Sequence, residues 1–268
     1  MAKIITLMKM ARKEILRRRS LPYIEMNLTD HCNLNCEWCS HYSPMAPKKF
    51  ADFGQFQKDF TRLSELCTFI GEIRLLGGEP LLNPDINKFL KFARESFPDP
   101  IYTRIRVVTN GLLLSKMPQS FWNTMKSSAI ALDVTVYPGM PFEIPDIERL
   151  TRSHGIKSKI SQTHTFNEIP IKVSNKDENF KICREHFFCP ILREGRIYLC
   201  PQAAIYHLRS KDLQAEQLAS SIDIHTSTHR EIVEFMNKPA PFCSYCNWEN
   251  YRTHPWKRTR MAPMQENV

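Results

Sequence analysis

Tyr23-Ile24-Glu25-Met26-Asn27-Leu28-Thr29-Asp30-His31-Cys32-Asn33-Leu34-Asn35-Cys36-Glu37-Trp38-Cys39 runs from a β-rich segment straight into a cluster of thiols. Tyr23 to Leu28 predicts a strand. Cys32, Cys36 and Cys39 follow at spacings of four and three in the loop behind it. Three is the informative number of ligands. Structural zinc sites close with four, and most cubane iron–sulfur clusters take four cysteinates, so a trio leaves one metal position open for another molecule. A zinc site borrowing His31 or His41 is the competing reading.

Outward from this stretch, short β-rich runs alternate with helical ones, the pattern of βα units on a parallel sheet. Further strands are predicted at Glu72 to Leu76, Arg104 to Thr109, Ala131 to Tyr137 and Ile156 to Ile160. Phe56, Phe60, Leu63, Leu66, Cys67 and Ile70 recur at three- and four-residue steps and place one apolar stripe on a helix. A second helix is expected to begin after Asn83 as N-cap, with Pro84 in its first turn and Asp85 at its positive end. Gln119 to Ser127 and Asp146 to His154 complete the helical set. A closed eight-unit barrel needs about 250 residues by itself. The expected fold is therefore α/β, a partial (β/α)6 TIM-like barrel over residues 22–180. A small cysteine-rich domain is expected over 181–268, and a basic amphipathic helix over 1–21.

The chain has 268 residues, 42% hydrophobic and 24% charged, ample for one large core. No run of eighteen apolar residues exists, and the first twenty lack a secretory signal, so a cytoplasmic protein is expected. Nine cysteines in such a chain favour metal ligation over disulfides. The formal charge of +9 suggests an anionic partner or substrate. Lys9, Arg12, Lys13, Arg17, Arg18 and Arg19 lie among Ile5, Leu7, Met8, Met10, Ile15 and Leu16. That pattern packs as a helix on the main domain, with peripheral membrane contact or an acidic partner as alternatives. No interleaving of aromatic and basic residues marks a nucleic-acid surface.

A second constellation comprises Cys183, Cys189, Cys200, Cys243 and Cys246. Cys189 precedes a Gly195 turn and the run Arg196 to Leu199 before Cys200, so a short hairpin brings these two thiols together. Cys243 and Cys246 supply a close pair. A zinc knuckle is one way to use such a set. Cys67 sits on the apolar helix stripe and reads as core.

The C-x3-C-x2-C run, with Trp38 before its last cysteine, resembles the defining motif of the radical S-adenosylmethionine (SAM) superfamily. Gly77-Gly78-Glu79-Pro80, behind the run Ile73 to Leu76, is similar to that family's GGE motif. Thr109-Asn110-Gly111 resembles a family feature lining the active site. The resemblance implies a [4Fe-4S] cluster on Cys32, Cys36 and Cys39, and SAM contacts from Gly77, Gly78, Glu79, Pro80, Asn110 and Trp38. Asp133 and Thr135 share one strand face and are expected near the SAM ribose. The glycine-rich adenine motif of some members is not visible at Lys157 to Ser161. The C-terminal cysteines resemble the twitch domain, a shortened relative of SPASM. This implies one auxiliary [4Fe-4S] cluster, expected on Cys189, Cys200, Cys243 and Cys246. Cys183 is then a spare residue, a replacement ligand or a hydrogen donor. His41, Tyr42, Tyr137, Lys159 and His164 are candidates to line the cavity, and His31 to tune the cluster.

Such an enzyme cleaves SAM reductively to a 5′-deoxyadenosyl radical that abstracts hydrogen from a substrate. It takes electrons from a donor such as flavodoxin or ferredoxin, and it is oxygen-sensitive. The first strand is predicted near residue 22, so an N-terminal peptide-recognition domain is not expected, and the charge is basic. A small polar, anionic or sugar-like metabolite is therefore the expected substrate, changed by epimerisation, dehydrogenation or rearrangement. A peptide maturase with a separate recognition partner is the first alternative, and a non-catalytic iron–sulfur or zinc protein the second.

Overall fold

In the computed structural model, which describes residues 19–258, strand and helix alternate as the sequence predicts. β1 (Ser20–Thr29) is followed by α1 (Phe53–Leu66) and β2 (Phe69–Gly77), then by α2 (Ile86–Ser96) and β3 (Arg104–Thr109). The series continues with α3 (Gln119–Ser127), β4 (Ala131–Val136), α4 (Ile144–Ser153) and β5 (Ser158–Gln162). Beyond it lie β6 (Thr165–Glu168), α5 (Lys176–His186), β7 (Ile191–Arg193), β8 (Arg196–Tyr198) and α6 (Pro201–Ile205). The described chain ends with α7 (Gln214–Ala219), β9 (Ser221–Asp223), α8 (His229–Met236) and β10 (Arg252–Pro255).

One sheet runs in the order β5-β4-β3-β2-β1-β7-β8-β9, and β10 pairs with β6 separately. From β5 to β1 every neighbour is parallel. β7 adds to the free edge of β1, also in parallel, with Glu25 opposite Ile191. Six parallel strands thus form an α/β partial barrel. The hairpin β7–β8 arises as predicted around Glu194 and Gly195, both at positive φ, but it continues the main sheet. Residue 180, expected as a boundary, lies inside α5.

Side-chain alternation splits the parallel strands into two unlike faces. Ile24, Met26, Leu28, Ile73, Leu75, Ile105, Val107, Leu132 and Val134 point at the helices and form the core with Phe56, Phe60, Leu63, Phe89 and Phe121. Cys67 belongs to this core as the C-cap of α1, whereas Ile70, read with it on the helix stripe, lies in β2. Tyr23, Glu25 and Asn27 of β1 face the other way, as do Glu72 and Arg74 of β2, Arg106 of β3 and Asp133 of β4.

Several element ends differ from the sequence reading. The second helix starts at Ile86 after Asp85, not at Pro84. Asn83 instead spends its side chain on two jobs: Nδ2 donates to Leu28 O at 2.9 Å, and Oδ1 accepts from Asp85 N at 2.9 Å. α4 begins two residues early, because Glu143 and Asp146 cap it reciprocally. β5 is shifted to Ser158–Gln162, where it pairs with β4. The amphipathic helix expected over 1–21 lies essentially outside the described residues. Among the described residues no helix is long and apolar enough to cross a membrane.

Phe56 is fully buried, stacked on Phe60 at 4.2 Å and edge-on to Phe89 at 4.8 Å. Phe56→Ala should lower the unfolding free energy by about 3–5 kcal/mol, read as a reduced denaturant midpoint at unchanged slope.

Candidate active site

The C-terminal ends of β1, β2 and β3 meet at one buried carboxylate. Glu79 has no solvent exposure. It accepts hydrogen bonds from Thr109 Oγ1 at 2.7 Å, Asn110 N at 2.9 Å and Leu81 N at 3.1 Å. Burial lifts its carboxyl to about 7, against the pull of these donors. Gly77 and Gly78 make the approach of the strands feasible. A Cβ on Gly77, whose φ is +139°, would meet Thr29 O at 2.1 Å, and one on Gly78 would meet His31 O at 2.0 Å. The freed space is filled by backbone hydrogen bonds from Gly78 N to Thr29 O (2.9 Å) and from Glu79 N to His31 O (3.0 Å). Pro80 is buried and opens a 3-10 turn.

The cysteine loop hangs from this junction. Asn110 Nδ2 reaches both Cys32 Sγ (3.6 Å) and Asn33 Oδ1 (2.8 Å), and Trp256 Nε1 donates to Cys36 Sγ at 3.2 Å. Burial pushes the Cys32 thiol up to about 12 and Cys36 up to about 11, and Trp256 draws the latter down. Such thiols ionise readily only beside a cation. Three converging thiols with N–H donors aimed at two of their sulfurs fit an iron–sulfur cluster. Trp38 holds a left-handed φ of +61° and stacks on His254 at 4.5 Å. His31 bonds to Lys49 O at 3.3 Å and meets Phe50 edge-on, a loop-stabilising role.

Asp30, beside the loop, forms a fork with Arg193: Nη1 to Oδ1 is 2.7 Å and Nη2 to Oδ2 is 2.9 Å. Burial would raise the Asp30 carboxyl, but the Arg193 hydrogen bonds and charge outweigh it and hold the group below the usual range.

All five C-terminal cysteines line one cavity of about 180 Å³, walled by Phe180, Phe188 and Phe242. Ser40, Ile169 and Gln202 border it and also border a cavity of about 220 Å³ that contains Cys36, Trp38 and Cys39. The two cysteine constellations therefore lie on either side of a shared wall. Within the second, burial raises every thiol. Cys200 and Cys246 are raised further by Cys183 and Cys243. Cys189 is raised first by burial, next by Glu25, and then by Cys200 and Cys183. All five thiols share one cavity, and Cys183 and Cys200 each bear on more than one of the others. Cys183 is thus among the thiols, where the sequence left it open. Among the described residues no group of three or more His, Cys, Asp and Glu could hold a single metal ion.

The inner face of the barrel is polar. Arg74 lies 2.8 Å from Glu72 and 3.5 Å from Asp133, with its guanidinium 5.4 Å from the Tyr23 ring centroid. Arg106 reaches Glu72 at 3.2 Å. Asp133, expected near a ribose, is thus paired with Arg74, while Thr135 lies two residues on, opposite Ser161 of β5. Tyr23 OH donates to Glu25 Oε1, but Glu25 Oε2 and Asn27 Oδ1 are buried without a protein partner. Tyr137 stacks between Phe166 and Trp256. His164 contributes a backbone carbonyl to Trp256 N. Tyr42 packs edge-on to Tyr206. His41 is desolvated, which lowers it to about 4 against the pull of Asp30. Lys159 stands opposite Asp133.

Sequence reasoning missed Glu25, Arg193, His254 and Trp256. Only Glu25 had a local signal, a carboxylate alternating with apolar residues in a β-rich run.

A half-barrel with a three-thiol loop behind β1 and a glycine-lined turn behind β2 defines a class of enzyme that generates radicals from a bound cofactor. The Radical SAM superfamily profile matches residues 26–169, and the chain belongs to that superfamily. Its members use SAM and a [4Fe-4S] cluster. The GTP 3′,8-cyclase of Aliarcobacter butzleri is 28% identical over 183 residues, covering 63% of this chain and 54% of that protein. Molybdenum cofactor biosynthesis protein 1 of Bos taurus is 29% identical over 157 residues, covering 57% of this chain and 23% of that protein. The chain spans about half the length of the first of these curated relatives. Among solved structures, anSMEcpe with bound AdoMet aligns at a TM-score of 0.54 and 12% identity, covering 82% of this chain and 84% of that one. BtrN in complex with AdoMet and 2-DOIA aligns at 0.50 and 14%, covering 85% and 93%. Both share the fold.

Glu25 supplies a pH test of the inner face. Burial raises its carboxyl from 4.5 to about 7. The folded state holds this proton more tightly than the unfolded chain, so the stabilisation is complete below the unfolded value and is lost as pH rises towards 7. Glu25→Gln should therefore gain stability over the parent as pH rises from about 5 to about 8, by on the order of 2–3 kcal/mol, read by thermal melts.

Proposed function

We propose that this radical SAM enzyme binds its cluster on Cys32, Cys36 and Cys39 and takes hydrogen from a small anionic metabolite of the nucleotide class. The cluster and SAM, when bound, supply the 5′-deoxyadenosyl radical. The protein's own residues orient and seclude. Asn110 would hold the Cys32 side of the loop. The Gly77, Gly78, Glu79 and Pro80 turn, with Trp38, would receive SAM, and Asp133 and Thr135 would reach its ribose. Arg74 and Arg106 on the inner face would meet substrate charge. Glu25 Oε2 and Asn27 Oδ1 would accept from its hydroxyl or amino groups, since buried acceptors without partners are costly.

That inner face supports the proposal, because its strands carry Arg74 and Arg106, though ion-paired, alongside the unpartnered acceptors Glu25 Oε2 and Asn27 Oδ1. The name of one curated relative, the GTP 3′,8-cyclase of Aliarcobacter butzleri, favours a nucleotide over a simple sugar. An auxiliary [4Fe-4S] cluster is proposed on four of the five C-terminal thiols, Cys183, Cys189, Cys200, Cys243 and Cys246, which line one cavity. A barrel followed by a cysteine-bearing C-terminal segment describes this division of labour. A cytoplasmic setting and a flavodoxin or ferredoxin electron donor belong to the same reading.

Anaerobically reconstituted protein should carry roughly eight irons per chain, falling to about four in Cys32→Ala/Cys36→Ala/Cys39→Ala. With SAM and reductant, GTP or another purine nucleotide should raise 5′-deoxyadenosine formation above the substrate-free rate, and the triple variant should form none. Stimulation by neutral sugars but by no nucleotide would overturn the substrate assignment.

A further inference from the structure

Residues 252–258 cross the cysteine loop. β10 pairs with β6 from Arg252 opposite Glu168 to Pro255 opposite Thr165, and Trp256 N then donates to His164 O at 2.8 Å. The chain turns onto the loop itself. Glu37 N donates to Lys257 O at 2.9 Å, Arg258 bridges Cys36 in antiparallel fashion, and Lys257 Nζ lies 2.9 Å from the Glu37 carboxylate. His254, hydrogen-bonded to Glu168 at 2.8 Å, covers Trp38. Trp256 stacks on Tyr137 at 5.4 Å and directs Nε1–H at Cys36 Sγ, 3.2 Å away.

We propose that residues 252–258 form a strap that holds the cluster loop closed, and that Trp256 is a positioning residue whose N–H···S bond sets the reduction potential of the cluster. The inference rests on Cys36 being a cluster ligand. An added electron increases the negative charge on the ligating sulfurs. A fixed N–H donor therefore stabilises the reduced cluster more than the oxidised one and raises the potential. Phenylalanine would preserve the stack on Tyr137 and lose the donor, so the two contributions of Trp256 separate.

The experiment compares the parent chain, Trp256→Phe and Trp256→His after anaerobic reconstitution, by iron content and by EPR-monitored redox titration with and without SAM. Equal iron content is expected, with a more negative potential in Trp256→Phe and a return towards the parental value in Trp256→His, which restores a ring N–H. A parent that forms no [4Fe-4S] signal would overturn the cluster assignment and the strap with it. Equal loading and coincident potentials would overturn the role of Trp256 alone. Should Trp256→Phe fail to load, loading by Trp256→His supports the hydrogen bond, and failure of both reduces Trp256 to a structural wedge and overturns the potential-setting role.

Discussion

A carboxylate with no exposure to water organises this end of the barrel. Glu79 gathers Thr109, Asn110 and Leu81, so one side chain joins the end of β3 to the turn behind β2. Leaving such a carboxylate without donors would cost several kcal/mol, which makes the junction close as a unit. The glycine pair serves the same end, because any Cβ at Gly77 or Gly78 would drive the β2 turn away from Thr29 and His31. The glycines thus admit the close approach of the chain's own backbone.

From that junction the C-terminal half is tied back onto the barrel at separate places. The hairpin β7–β8 extends the sheet at β1. The Asp30–Arg193 fork fixes its Arg193 to the start of the cysteine loop. At the far end of the described chain, β10 and Trp256 return to the same loop. The loop is accordingly held from the strand ends, the hairpin and the strap, a rigid frame for residues such as Trp38 that sit in a sparsely populated backbone region.

The sheet divides its duties between two faces. Apolar side chains facing the helices provide the core, and the concave face is left free for charged groups. Arg74, Glu72, Arg106 and Asp133 satisfy one another there, while Glu25 Oε2 and Asn27 Oδ1 do not find protein partners.

Periodicity and spacing made much of this legible in the sequence. The five βα strands, the apolar stripe of α1, the hairpin at Gly195, the superfamily motif and the GGE turn all depend on residues close together along the chain, where local physics dominates. Helix ends were less legible, because Asn83 was drawn to Leu28 O across the fold. The tertiary structure alone decided that β7 would pair with β1, that all five C-terminal cysteines would line one cavity, and that Trp256 would reach Cys36 from 220 positions away. Those outcomes depend on loop closure and on competition between distant partners, which no short window of residues encodes.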